Sequence, residues 1–150
     1  MSLYNYIYSP NPIPDDSLLR LLNTEGSYNL MGIVNGKNLV INNFFYIEMG
    51  GILIGCIWFN YNEIQNEIEI AFGKLENNNM NRGMLSNILN DLTLLSSLLP
   101  AEWTDESLSP KWLIVIQNDN TYFDYISLTI ENYGFILDPE GGYIKDVYPV

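Results

Sequence analysis

The sequence predicts an α/β (α+β) domain, in which a mixed central sheet is flanked by helices on both faces. Three observations carry this. A β-hairpin is written into Phe44 to Tyr61, where two aromatic and β-branched runs flank Gly50-Gly51. A buried strand is written into the nearly continuous apolar run Trp112 to Gln117. Strands and helices alternate through the second half of the chain, the pattern of helices packed on a sheet.

Taken in order, Leu3 to Tyr8 alternates as a first strand, and Pro10, Pro12 and Pro14 end it because proline cannot continue a ladder. Asp15 and Asp16 stand where an N-cap and an acidic first turn belong, ahead of Leu18, Leu19, Leu21 and Leu22, so a short helix is expected to end near Gly26. The stretch from Tyr28 to Asn43 is irregular, with room for a second short helix. The hairpin Phe44–Met49 and Ile52–Tyr61 comes next. Glu67 to Phe72 then reads as a strand with Glu67 and Glu69 on one side and Ile68 and Ile70 on the other. A polar loop, Lys74 to Arg82, leads into Gly83 and one long helix whose Leu85, Ile88, Leu89, Leu92, Leu95 and Leu99 recur at helical spacing until Pro100. After an acidic loop from Ala101 to Lys111 come the buried strand, a helix from Phe123 to Tyr133 stopped by Gly134, and a terminal hairpin of Phe135–Leu137 and Tyr143–Val147.

Composition narrows the function. The 150 residues suit one domain with a sizeable core, and no repeat, charge block or linker divides them. The longest apolar run, Ile52 to Phe59, falls far short of the roughly 20 residues that a membrane-spanning helix needs. No basic region followed by an apolar stretch opens the chain, so no secretory signal is expected and the cytoplasm is the default compartment. With no histidine and one cysteine, Cys56, the usual zinc sites, histidine-based triads and intramolecular disulfides are excluded. A net charge of −12 with six Lys plus Arg repels nucleic-acid phosphates. The same field suits cationic partners such as polyamines, amino sugars or basic proteins, or serves solubility alone.

Three passages together resemble the GNAT N-acetyltransferase superfamily. FFYIEMGGILIGCIWF, Phe44 to Phe59, resembles the family's second and third strands; EIEIAFGKLENNNMNRGMLSNIL, Glu67 to Leu89, resembles its fourth strand, pyrophosphate loop and following helix; LIVIQNDN and ENYGF, at Leu113 to Asn120 and Glu131 to Phe135, resemble its fifth strand and following helix. The resemblance implies a mostly antiparallel sheet and a coenzyme A site. Backbone N–H groups at a helix N-terminus attract anions. By resemblance, residues Met80, Asn81, Arg82, Gly83, Met84, Leu85 and Ser86 would hold the pyrophosphate of acetyl-CoA, with Asn120, or Asn118, toward the pantetheine arm between the fourth and fifth strands. The family's loop motif keeps only one of its three signature positions here, Gly83, and its tyrosine four residues before Gly-Phe is Ile130.

Acetyl transfer needs a base for the amine and a donor for the departing thiolate. Without histidine the base must be a carboxylate, and Glu69 or Glu67 is the candidate; the competing reading leaves both in solvent at a sheet end. Tyr122 and Tyr125 are the candidate acids, set against packing roles among eleven tyrosines. Cys56 reads as an inert core residue, and Trp58, Trp103 and Trp112 as core or cleft wall. Two functions follow as expectations. One is an N-acetyltransferase acting on a primary amine of a cationic small molecule or protein, with a homodimer as one available assembly. The other is an inactive, acidic GNAT-fold immunity or inhibitor protein covering a basic protein partner.

Overall fold

The computed structural model describes residues 2–9, 29–30, 43–74, 83–116, 118 and 123–149. The strands are β1 (Asn5–Ser9), β2 (Asn29–Leu30), β3 (Phe44–Met49), β4 (Ile52–Asn62), β5 (Glu67–Lys74), β6 (Lys111–Ile114), β7 (Ile136–Leu137) and β8 (Tyr143–Asp146). The helices are α1 (Met84–Asn90), α2 (Leu92–Leu98) and α3 (Phe123–Asn132), with one turn of 3-10 helix at Glu106–Leu108. The fold is mixed α+β. Its sheet runs β1-β3-β4-β5-β6-β8-β7, and β2 pairs separately with β5. Every pairing is antiparallel except β5 with β6.

Local chemistry explains the well-marked elements. Gly50 and Gly51 both take positive φ, 59° and 81°, which a tight turn matched to the twist of β3 and β4 requires. The apolar alternation of β5 sends Ile68 and Ile70 into a core shared with Phe59 of β4 and Trp112 and Ile114 of β6. Met84, Leu85, Ile88 and Leu89 of α1, Leu92 and Leu95 of α2, and Ile126 and Ile130 of α3 join that same core. The three described helices therefore cover one face of the sheet. The helix expected over Asp15 to Gly26 lies outside the described residues, as does the stretch Tyr28 to Asn43 apart from β2 and Asn43. On the opposite face Phe44, Cys56, Trp58 and Ala71 are buried too, apart from the main core.

One expected element is divided. The long helix predicted from Gly83 to Leu99 breaks at Asp91, whose backbone (φ −94°, ψ 6°) closes α1 with an N–H bond to the Ile88 carbonyl and opens α2 by accepting from Leu95. The leucine periodicity runs through the break because both pieces bury the same stripe. Asp91 Oδ2 does not cap α2; it accepts hydrogen bonds of 2.6 Å from the Tyr6 hydroxyl and 2.6 Å from Ser2 Oγ, fastening β1 to the helix junction. Burial, with Asp91 beside it, raises the Tyr6 phenol well above its ordinary range, so it stays a donor. The last apolar strand is also shorter than its apolar run: β6 ends at Ile114, whereas Ile116 is buried without strand pairing. No helix among the described residues is long and apolar enough to cross a membrane.

Replacing Asp91 by alanine takes the acceptor from the Tyr6 hydroxyl and leaves Ser2 Oγ only the Tyr4 carbonyl at 3.2 Å. Asp91→Ala is expected to destabilise the fold by about 1–3 kcal/mol in urea unfolding, and Tyr6→Phe by less. Equal stability of Asp91→Ala and the parent would show that the junction does not hold β1.

Candidate functional site

The site grows from the period-two geometry of β5. Because Ile68 and Ile70 fill the core, Glu67 and Glu69 must emerge on the other face of the sheet. Register then defines their neighbours. Asn62, Glu67, Lys111 and Asp146 form one row across four strands, and Asn60, Glu69, Leu113 and Ile144 form the next. Trp58 and Ala71 begin a third row beside Glu69. The parallel ladder between β5 and β6 covers Glu67–Lys111, Ile68–Trp112 and Glu69–Leu113, while β5 continues to Lys74. Glu69 thus stands at the last paired position, where the two strands part. Beyond it, β4 occupies one edge of β5, so β2 pairs with Phe72 and Gly73 on the edge that β6 has left.

The electrostatics favour protonated carboxyls. Glu67 is 8% exposed, the one polar or charged residue among the described residues that is buried. Burial first, then Asp138 and Glu140, push its carboxyl up, against a smaller downward pull from Lys111. Lys111 spends its charge elsewhere, in a 2.7 Å ion pair with Asp146 at the surface. Glu69 is half-buried, and burial reinforced by the neighbouring Glu67 pushes its carboxyl from 4.5 up to about 7. Its Oε1 is enclosed and has no hydrogen-bond partner. A carboxyl with these properties exchanges a proton near neutral pH, as a general base or acid must.

The terminal hairpin forms a wall. Asp138 and Glu140 in its turn are the residues that load Glu67 with negative charge. The turn lies close to β6: a Cβ on Gly142, which has φ 82°, would stand 2.8 Å from Leu113 Cδ1 and 3.3 Å from the Ile114 carbonyl. Glycine is required there both by space and by its positive φ.

The sequence-based candidates fall into three groups. Glu67 and Glu69 are brought together, about 7 Å apart along one strand face. Gly83 caps α1 in the left-handed region (φ 82°), with open space where a Cβ would stand, and the first intrahelical donor is Asn87, bonding the Gly83 carbonyl at 2.9 Å. Met84 and Leu85 turn inward to the core, and half-buried Ser86 sits in the first turn. Tyr125 is 44% exposed on α3, which packs on the Ile68–Ile70 face, so it is not brought to the two carboxylates. Met80, Asn81, Arg82, Asn120 and Tyr122 lie outside the described residues, and Asn118 is exposed in a turn. Sequence reasoning marks Asp138 and Glu140 only as turn residues, and assigns Trp58 no chemistry. The acidic turn is visible in the sequence; its position against Glu67 depends on long-range pairing of β6 with β8.

No protein-family model and no curated protein matches the sequence.

Two outcomes test the site's physics. Glu67 and Glu69 hold protons more tightly folded than unfolded, so the native state binds more protons between about pH 4.5 and 7, and stability falls as pH rises through that window. Urea midpoints are expected to be lower at pH 8 than at pH 5.5, with much of the difference gone in Glu69→Gln; an unchanged pH dependence in that variant would contradict the assignment. Gly142→Ala is expected to lose about 1–3 kcal/mol, read from the same titrations.

Proposed function

We propose that the chain is an N-acetyltransferase of the GNAT type, moving the acetyl group of acetyl-CoA to a primary amine, with Glu69 as the general base. The observation that carries the reading is Glu69 itself: an enclosed, unpartnered carboxyl oxygen that titrates near pH 7, at the point where the sheet's one parallel strand pair among the described residues comes apart. The mostly antiparallel sheet agrees with what the resemblance implies.

Two features of the described residues support a coenzyme A thioester as the acyl donor. Gly83 leaves open space at the start of α1, and Met84 and Leu85 are turned into the core rather than toward the loop. The backbone of Gly83 to Ser86 would hold the pyrophosphate with Arg82, and Ile70 and Ala71 offer the β5 edge before β2 begins. When bound, acetyl-CoA supplies an acyl carbon whose C–S bond breaks as the C–N bond forms. Glu69 takes a proton from the acceptor's ammonium and passes it to water; the free amine then attacks, and the proton that it sheds as the C–N bond forms goes to the departing thiolate. Asp138 and Glu140 add negative potential that draws a cationic acceptor.

A second reading, an acidic protein that binds a basic partner without catalysis, is favoured by two observations. β2 takes the edge of β5 at Phe72 and Gly73, where by resemblance a pantetheine arm would run, and the position of the family's tyrosine is the fully buried Ile130.

Isothermal titration with acetyl-CoA separates the readings. Binding in the micromolar range that weakens in Arg82→Ala is expected, followed by amine acetylation whose kcat/KM falls as pH drops below about 7. Glu69→Gln should reduce kcat/KM by about 10²–10⁴-fold and remove that limb of the profile. Absence of binding at millimolar acetyl-CoA would favour the second reading.

A further inference from the structure

A cleft of about 650 Å³ opens where the turn between β4 and β5 meets the loop that follows α2. Tyr61, near the end of β4, pairs with Ile68 and so lies on the helix-covered face of the sheet, away from Glu67 and Glu69. Its ring stacks on that of Trp103 from the loop, 5.4 Å between centroids and 14° between planes, and both rings line the cleft as an aromatic wall. Asn66 ties turn and loop together: its Oδ1 accepts from the Tyr61 hydroxyl at 2.7 Å, and its Nδ2 donates to the Leu108 carbonyl. Exposed Glu63 enters the lining from the turn and exposed Glu102 from the loop, and no lysine or arginine among the described residues joins them. Ile64 and Leu108 complete the lining although they are 96% and 52% exposed, so the fold leaves an apolar edge of the cleft in water.

We propose that this cleft docks an arginine-bearing basic segment of a partner protein, with a guanidinium on the Tyr61–Trp103 wall and paired with Glu63 and Glu102. Charge complementarity carries the choice of sign: two carboxylates line the cleft, and a net charge of −12 steers a basic partner toward it. Arginine suits it better than lysine, because a planar guanidinium stacks on aromatic rings and bonds carboxylates as a fork. A polypeptide suits it better than a small cation. A small guest held on the aromatic wall leaves Ile64 in water, whereas an apolar side chain next to the arginine covers it. The braces from Asn66 hold the wall in place before the partner arrives, which lowers the cost of binding. Docking here goes beyond both functional readings, since the cleft lies on the other face of the sheet from Glu69 and acts whether or not an acetyl group is transferred.

The test uses the intact protein at about 0.15 M salt, where exposed charges more than about 8 Å apart are largely screened. The probes are a capped synthetic peptide of alternating arginine and leucine, its lysine and citrulline counterparts, and agmatine as a small guanidinium. In calorimetric titrations the arginine peptide is expected to bind more tightly than the lysine peptide, with the citrulline peptide and agmatine weaker than both. Glu63→Gln combined with Glu102→Gln is expected to raise Kd for the arginine peptide by about 4–25-fold, the scale of two exposed ion pairs. Ile64→Ser, a change at a fully exposed position, should raise it by about 2–5-fold with stability unchanged. Asp124→Asn combined with Glu131→Gln removes two charges from exposed positions on α3 and should leave Kd as it is. In nitrogen-15 spectra the indole signal of half-buried Trp103 is expected to move with the arginine peptide, while those of buried Trp58 and Trp112 stay. Equal weakening by the α3 variant, equal affinity for the citrulline peptide, or a Trp103 signal that does not move overturns the proposal. Agmatine binding as tightly as the peptide, or no peptide binding at millimolar concentration, overturns it too.

Discussion

The register of β5 is the constraint from which the rest follows. Ile68 and Ile70 are fully enclosed between the sheet and three helices, and strand geometry gives their neighbours no choice of side. A slip of one residue would drive Glu67 and Glu69 into the apolar core and pull two isoleucines out of it. The hydrophobic energy of that core therefore fixes the two carboxyls on the far face, where the protein accepts their burial. Burial raises the proton affinity of both carboxyls, and at Glu69 it brings proton exchange near neutrality. Stability and chemistry are coupled through one strand.

The site's charge is shaped by what is missing nearby. With six basic residues against eighteen acidic ones, few cations are available to quench a carboxylate cluster. Lys111 stands in the row of Glu67 but pairs with Asp146, so its influence on Glu67 is secondary to that of Asp138 and Glu140. Burial and then Glu67 raise Glu69, so the charge on Glu67 bears on the proton of Glu69.

Much of the fold is legible locally. The Gly50-Gly51 hairpin, the two-faced strand at Glu67 and the helix before Gly134 follow from periodicity and turn chemistry within a few residues, and the structure has them within a residue or two. What escapes a local reading depends on partners far along the chain. The leucine stripe from Leu85 to Leu99 is continuous, so the division of one helix into two shows only in the backbone of Asp91, whose side chain is bound to Ser2 and Tyr6. The end of β6 at Ile114 is set by loss of pairing, although the apolar run goes on. The candidate site divides along the same line: Glu67 and Glu69 are visible as a local pattern, whereas the acidic turn reaches Glu67, and Trp58 neighbours Glu69, only through cross-strand register.

The clasp between Asp91 and the first strand also orders events in time. A ribosome releases β1 before either of its supports: β3, its ladder partner, lies some forty residues downstream, and the carboxylate that receives Tyr6 and Ser2 emerges later still. β1 is accordingly secured only after Asp91 has emerged, and its exposed Ile7 and Tyr8 stay unprotected while the middle of the chain is synthesised. Slowing translation between β3 and α2 would lengthen the interval in which that strand can pair with the wrong neighbour.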